Sequence, residues 1–165
     1  MRKEIIEFIK SNWLDNWKYE LKSKRFCIIA MATLLLLIIS IILMSEFLLF
    51  IESRTGAQLN EDPILLAINP ISLNWSIFVI EYFALFMGFL ELSRKPERLI
   101  TLFQSYIVLL IFRAGAMFLT PFDPPSRMIP LIDPLVSVFS SGQVLTKDLF
   151  FSGHTSTMAL LFFNS

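Results

Sequence analysis

The sequence predicts an all-α integral membrane bundle, and three observations carry that expectation. Of 165 residues, 55% are hydrophobic and only 17% charged, with a mean hydropathy of +0.67; soluble domains carry about 25% charged residues. One run, Phe26 to Ser45, has no formal charge over twenty residues, enough helix to cross about 30 Å of hydrocarbon. Basic residues are also concentrated in alternate loops. The same numbers exclude disorder. Cys27 is the only cysteine, which excludes a disulfide-stapled module. Fourteen basic residues balance fourteen acidic ones, so the basic excess of a nucleic-acid binder is missing.

The first 25 residues repeat an apolar position about once per helical turn, at Ile5, Ile9, Trp13, Trp17 and Leu21, with Lys3, Lys10, Lys18 and Lys22 mostly off that stripe. This pattern predicts a cytoplasmic amphipathic helix over 1–25, lying in the headgroup plane. Its competitor is a helix packed against the bundle. The membrane domain occupies 26–165, with spans near 26–50, 75–93 and 99–120 and an incomplete fourth from about 150. A secretory signal is excluded by the long polar lead-in and by the lack of a small-residue cleavage site after Ser45.

Seven basic residues precede Phe26, and Arg94, Lys95 and Arg98 crowd the turn between the second and third spans. The intervening loop carries only Arg54, and the loop from Pro121 to Phe150 only Arg127 and Lys147. Basic residues stay inside. The expected topology is multi-pass with a cytoplasmic N-terminus, and the loop before the fourth span faces the periplasm or the cell exterior.

Glu81 and Arg113 each fall about two turns below the outer end of a span. Such residues cost several kcal/mol in hydrocarbon, so the two are expected to face the interior as a pair. Either they form a structural ion pair, or Arg113 holds an anionic headgroup by charge-assisted hydrogen bonds. The only histidine, His154, follows Ser152 and Gly153 where the fourth helix begins. Glycine permits close approach of a ligand, a helix N-terminus presents free N–H groups to an anion, and a histidine there can protonate a phosphate ester oxygen.

Two blocks then resemble a known family. The segment Lys147-Asp148-Leu149-Phe150-Phe151-Ser152-Gly153-His154-Thr155 resembles the Gly-Asp-x-x-Phe-Ser-Gly-His-Thr block of sphingomyelin synthase-like proteins, a branch of the type 2 phosphatidic acid phosphatase superfamily, with Lys147 in place of glycine. The stretch from Phe112 to Pro125, Arg113 and Thr120 included, resembles the block before it, and Ile132-Asp133-Pro134 fits the connecting loop. The resemblance implies a six-helix fold, here in truncated form, acting on lipid phosphates or phosphodiesters at the outer face through a phosphohistidine. It implies His154 as general acid, Ser152, Gly153 and Thr155 as substrate-binding residues, and Arg113 and Asp148 as residues that organise the site. Membrane lipids are the expected surroundings and substrate. No cofactor or metal and no nucleic-acid partner is expected.

The family's nucleophilic histidine, in a later His-x-x-x-Asp element, has no counterpart, because the sequence holds one histidine. The expectation is therefore an inactive amino-terminal portion of a lipid phosphatase or phosphotransferase. The alternative is a small non-enzymatic membrane protein that keeps a lipid-anion pocket or a partner-binding surface.

Overall fold

A computed structural model describes residues 13–57, 67, 69, 71–125, 128–130, 133, 145–147 and 152–164. Residues 13–21 are helical. Four further helices follow: α1 (Lys24–Ser53), α2 (Asn74–Leu92), α3 (Pro96–Leu119) and α4 (Gly153–Asn164). Three of them, α1, α2 and α3, are long and apolar enough to cross a membrane. The protein is thus an all-helical chain with three candidate membrane spans, as its composition predicts.

Ser23 starts α1: its hydroxyl accepts from the Phe26 N–H, which satisfies one of the donors left open at a helix start. Over thirty residues, α1 buries only Phe26, Thr33, Met44 and Ile51. Their spacings of seven, eleven and seven keep them on one narrow stripe, and that stripe packs on α3. Its other faces leave Met31, Leu35, Ile38 and Leu43 well exposed, an arrangement suited to lipid and unfavourable in water. Within the stripe, Gln104 Nε2 donates to Thr33 Oγ1 at 3.0 Å, an interhelical bond worth roughly 0.6 kcal/mol in a membrane. Met44, Leu110 and Met117 pack together further along.

α2 and α3 are joined by the turn Ser93-Arg94-Lys95, and Pro96 sits in the first turn of α3, where its missing N–H costs nothing. The short α4 packs against both α2 and α3 through Leu92, Leu102 and Leu161. Twelve residues of α4 cover about 18 Å. α1 runs parallel to α3, and α2 parallel to α4, as the pairs Thr33–Gln104 and Leu161 against Leu92 and Leu102 require.

The two ends of the bundle are built differently. At one end the indole N–H groups of Trp13 and Trp17 both donate to the Ser93 carbonyl, at 2.6 and 2.7 Å, and Asn16 donates to the Arg94 carbonyl at 3.0 Å. The tryptophans expected to mark an interfacial face thus bind the α2–α3 turn. The rest of that stripe, Ile5 and Ile9, lies outside the described residues.

At the opposite end, three loops are knotted together. Ala57 and Phe122 form an isolated parallel bridge, with Ala57 N donating to Pro121 O at 2.9 Å and Asp123 N to Ala57 O at 3.0 Å. The chains come so close that a Cβ on Gly56 would sit 2.6 Å from Asp123 N. Arg54 donates to the Phe118 carbonyl at 3.0 Å and lies over the Phe118 ring. Glu52 accepts from Thr146 N, Thr146 Oγ1 and Lys147 N. Lys147 Nζ reaches Asp123 at 3.2 Å and the Arg54 carbonyl. Lys147, the departure from the family block, is therefore a tie between three loops.

The α2–α3 turn lies at one end of α2 and the loop before α2 at the other, so a membrane crossed by this candidate span would separate them. In a Cys27→Ser background, cysteines introduced at exposed Ser72 and exposed Arg94 are expected to react with an impermeant maleimide from opposite sides of sealed vesicles. Labelling of both from the same side would contradict the arrangement.

Candidate functional site

α4 places His154 one residue into its first turn, and that turn is locally closed. Ser152 Oγ accepts from the Thr155 N–H at 3.3 Å and bonds to Thr155 Oγ1 at 3.1 Å. Ser156 N donates to Ser152 O at 3.2 Å. Ser152 thus acts as an N-cap. The cap turns Gly153 and His154 toward α2 and α3 and leaves Ser152 and Thr155 exposed. Neither lines the cavity described below, so the two hydroxyls expected to bind substrate instead bond to each other and to the helix end. Asp148 lies outside the described residues.

His154 Nε2 is 2.9 Å from Asp133 Oδ2 and 3.5 Å from Glu81 Oε2. Asp133 Oδ1 accepts from the Tyr82 hydroxyl at 2.6 Å. The carboxylates are shielded, with Glu81 and Asp133 side chains 10% and 12% exposed, whereas His154 is 34% exposed. An ionised carboxylate only accepts, so with Asp133 ionised the 2.9 Å contact is one in which Nε2–H donates to Oδ2. The 3.5 Å approach to Glu81 is within electrostatic range but long for a hydrogen bond, and Glu81 Oε2 has no hydrogen-bond partner among the described residues. Phe78 packs on the imidazole with ring centroids 5.8 Å apart, and on Tyr82 at 5.9 Å.

Arg113 approaches from α3. A Cβ on Gly153 would lie 2.6 Å from its Nη1 and 2.9 Å from its Cζ, so the guanidinium rests directly on the Gly153 backbone. The expected meeting of Arg113 with the Ser-Gly-His turn is present in the geometry. Of the two readings of Glu81 and Arg113, the ion pair between them is not seen: Glu81 lies 3.5 Å from His154 instead. Equal depth along two helices does not fix the direction each side chain faces around its helix.

These groups form the head of one cavity of about 420 Å³, within the range of small-ligand sites. Glu81, Tyr82, Arg113, Asp133, Gly153 and His154 line its polar end, and α1, α2, α3 and α4 supply apolar walls below. Asp133 was visible in the sequence as an acid flanked by Ile132 and Pro134, but no periodicity connects that loop to His154. Tyr82 gave no signal beyond its place next to Glu81. No group of three or more metal-ligating side chains suited to an ion occurs among the described residues.

Comparison of the chain with protein-family models, with curated proteins and with solved structures finds no match.

The contact between Arg113 and Gly153 gives a direct test. Gly153→Ala forces the Arg113 guanidinium aside, and because that group is the end of a flexible side chain the expected loss of unfolding stability in detergent is small, up to about 1 kcal/mol. Gly115→Ala, whose Cβ meets nothing within 4 Å, is expected to be neutral or up to ~1 kcal/mol more stable, because alanine favours the helix. Equal stabilities of the two variants, measured by tryptophan fluorescence during denaturation, would contradict the close packing.

Proposed function

We propose that this chain binds the phosphate or phosphodiester headgroup of a membrane lipid, as its likeness to sphingomyelin synthase-like proteins of the type 2 phosphatidic acid phosphatase superfamily implies. One observation carries the reading: the Arg113 guanidinium, the first turn of α4 and His154 converge at the head of a cavity whose remaining walls are apolar. A phosphate there would meet a planar cation suited to bidentate contact and the positive end of a helix. His154, when protonated on both ring nitrogens, gives its Nδ1 proton to an ester oxygen and keeps the Nε2 proton that bonds to Asp133. Asp133 holds the ring by its Nε2 proton, in the way that a carboxylate fixes a catalytic imidazole. The basic residues preceding α1 and in the α2–α3 turn support a cytoplasmic location for that end of the bundle, and with it a site that opens on the outer leaflet.

Attack on phosphorus needs a nucleophile, and His154 is the only imidazole in these 165 residues. General acid catalysis alone contributes roughly 10²–10⁴-fold, far below the up to ~10²¹-fold acceleration that phosphate monoester hydrolysis can demand. The single histidine therefore favours the second reading for this chain taken alone: a lipid-anion site without turnover. The 165-residue chain in nanodiscs is expected to bind phosphatidic acid and to release no phosphate from it. Arg113→Ala is expected to weaken binding about 10- to 100-fold, the range for losing one charge-assisted contact. Unchanged affinity in Arg113→Ala, measured by native mass spectrometry, would sink the headgroup site. Phosphate release abolished by His154→Ala would overturn the non-catalytic reading.

A further inference from the structure

Beneath its polar head the cavity continues as an apolar passage walled by Ile41 and Met44 of α1, Leu85 of α2 and Leu110 of α3. Phe89 and Phe103, with ring centroids 6.3 Å apart, lie at its far end. From Arg113 to Leu102 is eleven residues of α3, or about 16 Å of helix. Half the hydrocarbon core of a bilayer is about 15 Å. The passage is therefore one leaflet deep, measured from the place where the headgroup sits. On its flank, α1 packs on α3 and makes no comparable contact with α2.

The cavity's volume of about 420 Å³ includes its polar head; the apolar part below it costs stability in proportion to whatever volume stays unfilled. Water does not fill such a space, since it needs two to four polar partners. Outside the polar head, the hydroxyls of Ser45, Tyr106 and Thr157 are the polar groups of its lining, and those of Ser45 and Thr157 already donate to the Ile41 and Gly153 carbonyls.

We propose that this passage is a slot for one hydrocarbon chain of the bound lipid, entered sideways between α1 and α2 and closed at its inner end by Phe89 and Phe103. The inference rests on the headgroup reading given above and extends it: the ligand is an outer-leaflet lipid recognised by its chain as well as by its phosphate. Transfer of a chain from bilayer to slot changes little in hydrophobic free energy, because lipid tails are as apolar as leucine. Selection therefore comes from fit. A chain that reaches the phenylalanines fills the slot, and a much shorter one leaves a void.

The test uses the chain in phosphatidylcholine nanodiscs with phosphatidic acid carrying a diazirine at the end of one acyl chain. Photolabel is expected on Phe103, Leu102 and Phe89 and should be lost on adding excess unlabelled long-chain phosphatidic acid. Label on outward-facing Val79 and Ile111, which are 62% and 66% exposed, should persist. Leu85→Trp and, from the opposite wall, Ile41→Trp should each abolish slot labelling while the outward label confirms an inserted protein. Two further arms separate the slot from the headgroup. Slot label that survives Arg113→Ala and is competed equally by diacylglycerol would keep the slot and overturn the headgroup site. Label lost in Arg113→Ala but never found on Phe103, Leu102 or Phe89 would keep the headgroup site and overturn the slot. Competition by glycerol phosphate as strong as by long-chain phosphatidic acid would likewise overturn the slot, since a free phosphate ester has no chain to place there.

Discussion

The arrangement depends on how an ionisable cluster is tolerated among apolar helices. Glu81, Arg113 and His154 each sit on a helix, and Asp133 reaches them from a loop. A single Asp, Lys or Arg at the centre of a membrane helix costs about 2.5–3.5 kcal/mol on insertion scales. The contact between His154 Nε2 and Asp133 at 2.9 Å, with Glu81 at 3.5 Å, offsets part of that cost by giving these polar groups a partner among apolar helices. The same contacts decide where α4 goes. Its first residues are drawn to α2 by the carboxylates and to α3 by the Gly153–Arg113 contact, and Leu161 then seals against Leu92 and Leu102. The cavity is what remains between these helices and α1.

The outer knot supports that cluster from a distance. Residues 145–147, on the approach to α4, are held to the end of α1 by Glu52, and to the loop after α3 by the contact between Lys147 and Asp123. Two ends of one bundle are thus tied by different chemistry: charged and backbone bonds at the end near His154, and indole N–H groups on a carbonyl at the α2–α3 turn.

Much of this was legible in the sequence, and what was not has a physical reason. The apolar runs disclosed three long helices because only a membrane rewards an uninterrupted stretch of that length. The Ser-Gly-His turn disclosed a helix start and a close backbone approach, and Arg113 was placed beside it. The neighbour of Glu81 was left open in the sequence because hydropathy gives depth along a helix and says nothing about direction around it. Asp133 and Tyr82 were missed for a related reason: a loop acid and a helical tyrosine adjacent to Glu81 carry no pattern of their own, and only the packing of α2 on α4 brings them to His154. Ser152 and Thr155, substrate-binding candidates by the resemblance, form the cap of α4, and a helix start that binds an anion and one that caps itself use the same residue types.

Because the chain has one histidine, nitrogen NMR of histidine-labelled protein in nanodiscs reports on the centre of the cluster without ambiguity. The account predicts a slowly exchanging Nε2 proton that is lost or strongly shifted in Asp133→Asn, and ring signals that move when phosphatidic acid is added but not when diacylglycerol is. An imidazole that exchanges freely with solvent, indifferent both to Asp133→Asn and to phosphatidic acid, would contradict it.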